Sequence, residues 1–333
     1  MQLVAVGAST PQLLRTLAPR GCSSHRQHCQ RNSHAASVLA IGACVSAACR
    51  EQRLRLQKRN AVEDWPAGAG ASVEDCGMVS MQGADPDRPK VNQDACYVAE
   101  LPNGSLQAVV LDGHGKKGHV VSGALKAFLP DLIEEQLAQL ANACSGDIGS
   151  ALCEAFRATD SVLRQNRVGQ VARASGAAAL AAIVERGNKW TVHVACAGDC
   201  HSWLLEKVEG RWLGSSISQP SSCQRERERL EAAGGRVSDG VLWAGPIGVA
   251  MSRALGDLAL RPFGLLSEPE TWTISGGSES FLILVSDGVS DVLSPQQCAD
   301  LFDAEEPQSL AEDLAEAARE GWQAGLPMDV RID

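Results

Sequence analysis

Asp112, Gly113 and His114 close an apolar run in the stretch AVVLDGHGKKG, Ala108 to Gly118, and their types suit metal-assisted acid–base chemistry. A carboxylate is a hard oxygen ligand, an imidazole exchanges protons near neutral pH, and a glycine lets a backbone carbonyl approach an ion closely. Alone, an acid–glycine turn is only a turn. Three further acids repeat the grammar: Asp287 follows FLILVS, Asp199 follows VHVACAG, and Asp94 ends NQD just before ACYV. Each by itself reads equally well as a turn cap. Strand ends can converge at one edge of a sheet, where carboxylates repel one another unless cations or protons neutralise them. Ligands that are all oxygen point to Mg²⁺ or Mn²⁺ rather than zinc. Two such ions close together serve phosphoryl displacement, because they lower the pKa of a bridging water and clamp the oxygens of the transition state.

The elements that must position these residues follow from pattern. Ala108–Leu111 is a buried strand, and Gly113 and Gly115 turn the chain sharply at its end. Cys76–Met81, Ala95–Val98, Ala177–Val184, Trp190–Ala195, Ser202–Glu206 and Phe281–Val285 also read as strands, with Gly187-Asn188 as a turn. Val120–Ala143, Ser150–Asn166, Cys223–Ala233, Pro295–Phe302 and Gln308–Ala324 have helical spacing. Helices in pairs and strands in series do not make the regular alternation of a parallel sheet. They predict antiparallel sheets with helices on their faces, an α+β layered domain.

Charge divides the chain. Residues 1–60 hold nine of the 30 Lys and Arg and a single acid, Glu51, whereas the whole chain has a formal charge of -10. The body is therefore strongly acidic, a poor match for nucleic acid or an anionic membrane and a good one for divalent cations. Acid-poor, Arg-rich and Ser-containing is the composition of an organelle transit segment, mitochondrial or plastid. A disordered basic tail on a cytoplasmic protein is the equal alternative. A membrane anchor ranks third, since Ala35–Cys49 is shorter than the roughly 20 residues that span a bilayer, so no stable span is expected. Residues 61–72 are a Pro/Gly/Ala linker, and the folded body is expected over 73–333. The 12 Cys lack paired CxxC motifs and read as free thiols. A soft-metal cluster of His193, Cys196, Cys200 and His201 is the lesser reading, because strand alternation sends them to different faces.

From Met78 onward the motifs MQG, NQD, VVLDGHG, SGAAAL, AGD, RERLEAAGGRV, AMSRALGD, SEPE and LVSDGVSD occur in order. In that order they resemble the type 2C metal-dependent protein serine/threonine phosphatases. The resemblance implies a four-layer α-β-β-α sandwich of two antiparallel sheets flanked by helices, with a binuclear Mg²⁺ or Mn²⁺ centre at one end. It implies that Asp112 bridges both metals, that the Gly113 carbonyl joins one, that Asp287 binds the other and that Asp94 holds metal-bound water. Asp199 and Asp291, with Asp287, match the acids around a weaker third metal. His114 is carried over as the general acid, and Arg88, with Lys90 as substitute, as the phosphate anchor. Phosphorylated proteins are the implied substrates, hydrolysed at phosphoserine and phosphothreonine by metal-bound hydroxide.

The sequence departs from the family pattern at several points. Gln93 stands where many relatives place Glu. AGD continues as Cys200-His201, Ser216–Ser222 replaces an Asp-His motif, and Ser290 stands in place of a Trp, which predicts a gap or a repacked wall. The family's closing Asp-led strand is matched only by MDVRID, with Asp333 or Asp329 as its acid. A missing last strand would leave a sheet edge unpaired. The competing reading is a catalytically silent protein of the same fold that acts as a binding partner or regulator. Retention of Asp112, Gly113, His114 and Asp287 favours the enzyme.

Overall fold

The computed structural model describes residues 1–7, 76–82, 91–142, 146–186, 190–277, 279–302 and 307–324. In chain order these form β1 (Gln2–Gly7), β2 (Cys76–Ser80), β3 (Ala95–Glu100), β4 (Leu106–Gly115), α1 (Gly118–Asn142), α2 (Ile148–Gln165), the short α3 (Val168–Val171), β5 (Ser175–Glu185), β6 (Trp190–Ala197), β7 (His201–Val208) and β8 (Arg211–Ser216). Then come α4 (Arg227–Ala232), β9 (Arg236–Ser238), β10 (Val241–Ala244), β11 (Ile247–Val249), β12 (Leu255–Gly256), β13 (Glu270–Gly276), β14 (Ser280–Val285), α5 (Asp287–Ser290), α6 (Pro295–Asp300) and α7 (Pro307–Gln323).

Two sheets lie face to face. One runs β2-β1-β14-β7-β8 and the other β13-β6-β5-β4-β3, with β12 alongside β5; β9, β10 and β11 form a small third sheet. The strands pair antiparallel throughout. α1 and α2 cover the outer face of the second sheet, and α6 and α7 that of the first. This is the four-layer α-β-β-α arrangement, and it follows from burial pattern. β5, SGAAALAAIVE, is buried over its first ten residues, as a central strand covered on both faces must be, and its small residues let the layers approach. β13, ETWTISG, alternates between exposed and half-buried positions, the signature of an edge strand with one wet face.

Caps and packing fix the helices. Asp147 caps α2 by accepting from the Ser150 amide at 2.9 Å, and Ser294 and Gln297 form a capping box on α6. Along α7, Leu310, Ala311, Leu314, Ala315 and Ala318 make one buried stripe. α1 runs through Pro130, whose carbonyl at position 130 accepts from the Gln107 amide at 3.2 Å. Between the sheets, Val4, Leu204, Leu282 and Leu284 meet Val98, Val110, Leu180 and Val194. Beneath α7, Leu3, Ala5, Ile283 and Val285 meet Leu310 and Leu314.

The first strand corrects the sequence reading. Gln2–Gly7 lies within the segment 1–60 that was set apart as targeting or disordered, yet it pairs with β14 on one side and β2 on the other. Val4 faces the inter-sheet core while Leu3 and Ala5 face α7. A strand buried on both faces shows a continuous apolar run and no alternation, and the basic composition of the sixty-residue window concealed the buried run Leu3, Val4 and Ala5. β1 thereby gives both β14 and β2 a paired neighbour. The other strands and helices that were expected lie near those observed, except that the helix expected over Cys223–Ala233 is confined to Arg227–Ala232, and the short strands β8 to β13 carried no expectation. Residues 8–75, which include the linker, the turn at 187–189, Arg88, Lys90, Asp329 and Asp333 lie outside the described residues.

Leu3 is fully buried, so Leu3→Ala is expected to cost about 2–5 kcal/mol and to lower the melting temperature by roughly 5–15 °C. Thermal unfolding checks this, and an unchanged midpoint would show that β1 is not part of the folded sheet.

Candidate functional site

One end of the sandwich gathers the acids. β4 delivers Asp112, Gly113 and His114 at its C-terminal end, Asp94 immediately precedes β3, and Asp287 opens α5 directly after β14. These residues and Asp291 line a cleft of about 330 Å³ with Met1, Gly288 and Trp322 among its other walls. Asp199, in the turn between β6 and β7, lies close enough to Asp287, His114 and Asp291 for their charges to act on it. The structure therefore brings together Asp94, Asp112, Gly113, His114, Asp199, Asp287 and Asp291.

Backbone crowding shapes the turn after β4. A Cβ on Gly113 would stand 2.3 Å from the Gln93 carbonyl oxygen and 2.7 Å from that of Gly118, so only glycine fits where the loop before β3, the end of β4 and the start of α1 meet. Asp94 is fixed by several contacts. Its amide donates to the Asn92 side chain at 3.1 Å, and its Oδ2 accepts from the Ser286 hydroxyl at 3.1 Å and pairs with the Met1 nitrogen at 2.9 Å. Ser286 in turn accepts from the Gln2 amide at 2.9 Å, so β1 and β14 hold this carboxylate together.

Burial and mutual repulsion dominate the electrostatics. Asp112 is pushed well above the ordinary carboxylate range by burial first and then by Asp287, Asp94 and Asp199. Asp199 is pushed up to about 7 by burial and by Asp287, with His114 pulling the other way. For His114 burial disfavours the cation, but the Asp257 carboxylate 2.5 Å from Nε2 outweighs it, with Asp199 and Asp287 adding, and its pKa rises.

Among the described residues, no three His, Cys, Asp or Glu side chains form a ready-made cage for an ion. The donor chemistry nevertheless fits a hard divalent cation. Asp112 Oδ2 is buried without a hydrogen-bond partner, a costly state for a carboxylate unless a proton or cation meets it, and Asp287 and Asp94 are the charges that act on it most strongly. The soft-metal alternative is not assembled: His193 bonds Thr273 and Glu185 near the surface, whereas Cys196 is buried and donates toward the Cys200 carbonyl. All seven cysteines among the described residues are free.

A family model, protein phosphatase 2C, matches residues 100–326. The chain belongs to the protein phosphatase 2C family. It is 30% identical over 266 residues to the probable protein phosphatase 2C 64 of Oryza sativa subsp. japonica, covering 72% of this chain and 60% of that one. It is also 30% identical over 265 residues to the probable protein phosphatase 2C 61 of Arabidopsis thaliana, covering 73% and 78%. This chain thus spans less than two thirds of the rice relative's length. Among solved structures it is similar to the serine-threonine phosphatase 2C from Toxoplasma gondii, with a TM-score of 0.58, 16% identity and coverage of 69% and 89%.

Near Ser290, where a gap or a repacked wall was expected, a Trp from α7 borders the cleft. Trp322 lines the cleft, and its indole nitrogen donates to the Gly288 carbonyl at 2.7 Å. Sequence reasoning missed three contributors to this phosphatase 2C cleft. Met1 carries no sequence signal, and Ser286 lies in the motif LVSDGVSD, which could have flagged it. Asp257 lies in the motif AMSRALGD, which could have flagged it.

Asp199 generates a pH prediction. Its carboxyl ionises at about 7 in the folded chain against 3.8 ordinarily, so folding favours its neutral form. That contribution to stability is complete below about pH 4 and is lost as pH rises through about 7. In EDTA, the melting temperature of the wild type is expected to fall over this range more than that of Asp199→Asn, which has no proton to lose. Parallel curves for the two proteins would show that Asp199 does not titrate there.

Proposed function

We propose that the protein is a Mg²⁺- or Mn²⁺-dependent phosphatase acting on phosphoserine and phosphothreonine in other proteins. The observation that carries this is the buried, unpartnered Asp112 Oδ2 sharing one cleft with Asp287 and His114, in a chain of the phosphatase 2C family. Asp112, Asp287, Asp94 and the Gly113 carbonyl would hold two divalent cations, and Asp199 and Asp291, with Asp287, a weaker third. Bound there, the cations supply positive charge to the phosphoryl oxygens and lower the pKa of the attacking water.

The chain's own residues do the rest. Asp94, held by Ser286 and the Met1 nitrogen, orients water at the mouth of the cleft. His114 gives a proton to the departing serine or threonine oxygen, which would otherwise leave as a strongly basic alkoxide. Arg88 or Lys90 anchors the phosphate. Trp322 and Gly288 close one wall and limit access of bulk water. No covalent phosphoenzyme is needed.

Phosphate release from a phosphothreonine peptide should depend on Mn²⁺ and cease in EDTA. Asp112→Asn and Asp287→Asn should each abolish it while melting near the wild-type temperature, because each removes a charge without changing volume. A protein that binds the peptide and releases no phosphate at saturating Mn²⁺ would be a silent binder instead. His114→Ala should slow release by about two to four orders of magnitude, and by much less with an aryl phosphate, whose leaving group departs without a proton.

A further inference from the structure

Asp257 has no role in the reading above, yet three elements are built around its contact with His114. It follows β12 in the turn Gly256-Asp257, is almost completely buried, and holds a φ of 44°, a conformation that non-glycine residues adopt at a cost. Backbone bonds pin it there. The Asp257 amide donates to the Ser175 carbonyl at 3.1 Å, and the next two amides, of Leu258 and Ala259, donate to the carbonyls of Ala172 at 2.9 Å and Arg173 at 3.0 Å. β12 pairs with Gly176 and Ala177 of β5, and His114 of β4 sits in register with that same Gly176.

Gly176 is the opening through which the two side chains meet. A Cβ there would stand 2.2 Å from Asp257 Oδ2 and 2.8 Å from His114 Nε2. Every larger residue would force the pair apart, so the strained turn and the glycine serve one contact. Nε2 is engaged by the carboxylate at 2.5 Å, while Nδ1 is buried without a hydrogen-bond partner in the protein, so a group that enters the cleft has to meet it there.

We propose that Asp257 is a positioning residue for the phosphatase reaction: it fixes the rotation of the His114 ring and keeps a hydrogen on Nε2, so that proton delivery falls to Nδ1. The proposal rests on the reading of His114 as the proton donor. As water oxygen bonds to phosphorus, the P–O ester bond breaks and its electron pair stays on the departing serine or threonine oxygen. That oxygen takes the proton from Nδ1, and the imidazole is left neutral with its Nε2 hydrogen on Asp257. The proton released by the attacking water passes to solvent, which reprotonates Nδ1 for the next turnover.

The test compares wild type, Asp257→Asn, His114→Ala and the double variant in Mn²⁺, on a phosphothreonine peptide and on an aryl phosphate. Asp257→Asn should lower kcat on the peptide by about 10–100-fold, the usual loss when a reacting group is misaligned, with KM little changed. Its loss on the aryl phosphate should be at least about fivefold smaller, and the double variant should be no slower than His114→Ala. Equal losses on both substrates in a folded Asp257→Asn protein, or losses that multiply in the double variant, overturn the proposal while leaving the phosphatase reading intact. A wild type that releases no phosphate from either substrate overturns that reading and the proposed role with it. Should Asp257→Asn fail to fold, the ¹⁵N imidazole spectrum of the wild type decides, with His114 assigned by its loss in His114→Ala. A neutral ring with its hydrogen on Nε2 supports the pairing, and one with its hydrogen on Nδ1 overturns it.

Discussion

Negative charges crowded together out of water set the terms on which this fold exists. Asp112 and Asp199 are pushed toward their neutral forms by burial and by Asp287, which means that the chain holds carboxylates where an isolated polypeptide would spread them apart. Only a stiff frame can do that. The frame is two sheets locked by a common core, with Val4, Leu282 and Leu284 of one against Val110, Leu180 and Val194 of the other, so repulsion at one end is opposed by apolar packing along the whole length of the strands. Asp112 sits near the end of β4, Asp94 one residue before β3, and Asp199 and Asp287 two residues beyond β6 and β14, where the backbone is still rigid.

Relief of that repulsion comes from several directions, and each leaves a mark in the structure. His114 acts on Asp199 from the end of β4. The Ser286 hydroxyl and the Met1 nitrogen meet Asp94. Asp112 Oδ2 is left with nothing, as are Gln93 Oε1 and His114 Nδ1 in the lining of the same cleft. The distribution is informative: Asp94 is satisfied by the protein itself, whereas three buried polar atoms of the cleft are left to whatever enters. A site meant only to stabilise the sandwich would have no reason to leave its most deeply placed oxygen unmet.

The legible part of this molecule was the part written in short-range pattern. AVVL before Asp112 and FLILVS before Asp287 announce strands that end in acids, and the stripe of Leu310, Leu314 and Ala318 announces α7. What depended on distant partners was silent. QLVAVG looks like nothing in particular until β14 and β2 stand on either side of it, and Asp257 looks like one more turn acid until Gly176 opens a path to His114. Ser290 told of a gap or a repacked wall, but the Trp that borders the cleft there lies on another helix, 34 residues beyond Gly288. In each case the physical cause is a contact between residues far apart in the chain, which neither composition nor periodicity encodes.

The placing of β1 also bears on the order in which the molecule can assemble. The Gln2 amide meets Ser286 across 284 residues of chain, whereas β3 with β4, and β5 with β6, join near neighbours and can pair soon after collapse. Closing so long a loop carries an entropic cost that a local hairpin avoids. Until β1 pairs, a slot is left between β14 and β2. During that stage the slot presents two unpaired backbone edges to any extended apolar peptide nearby. Correct closure is then a competition between one tethered strand and its surroundings, won by proximity along the chain and lost at high protein concentration.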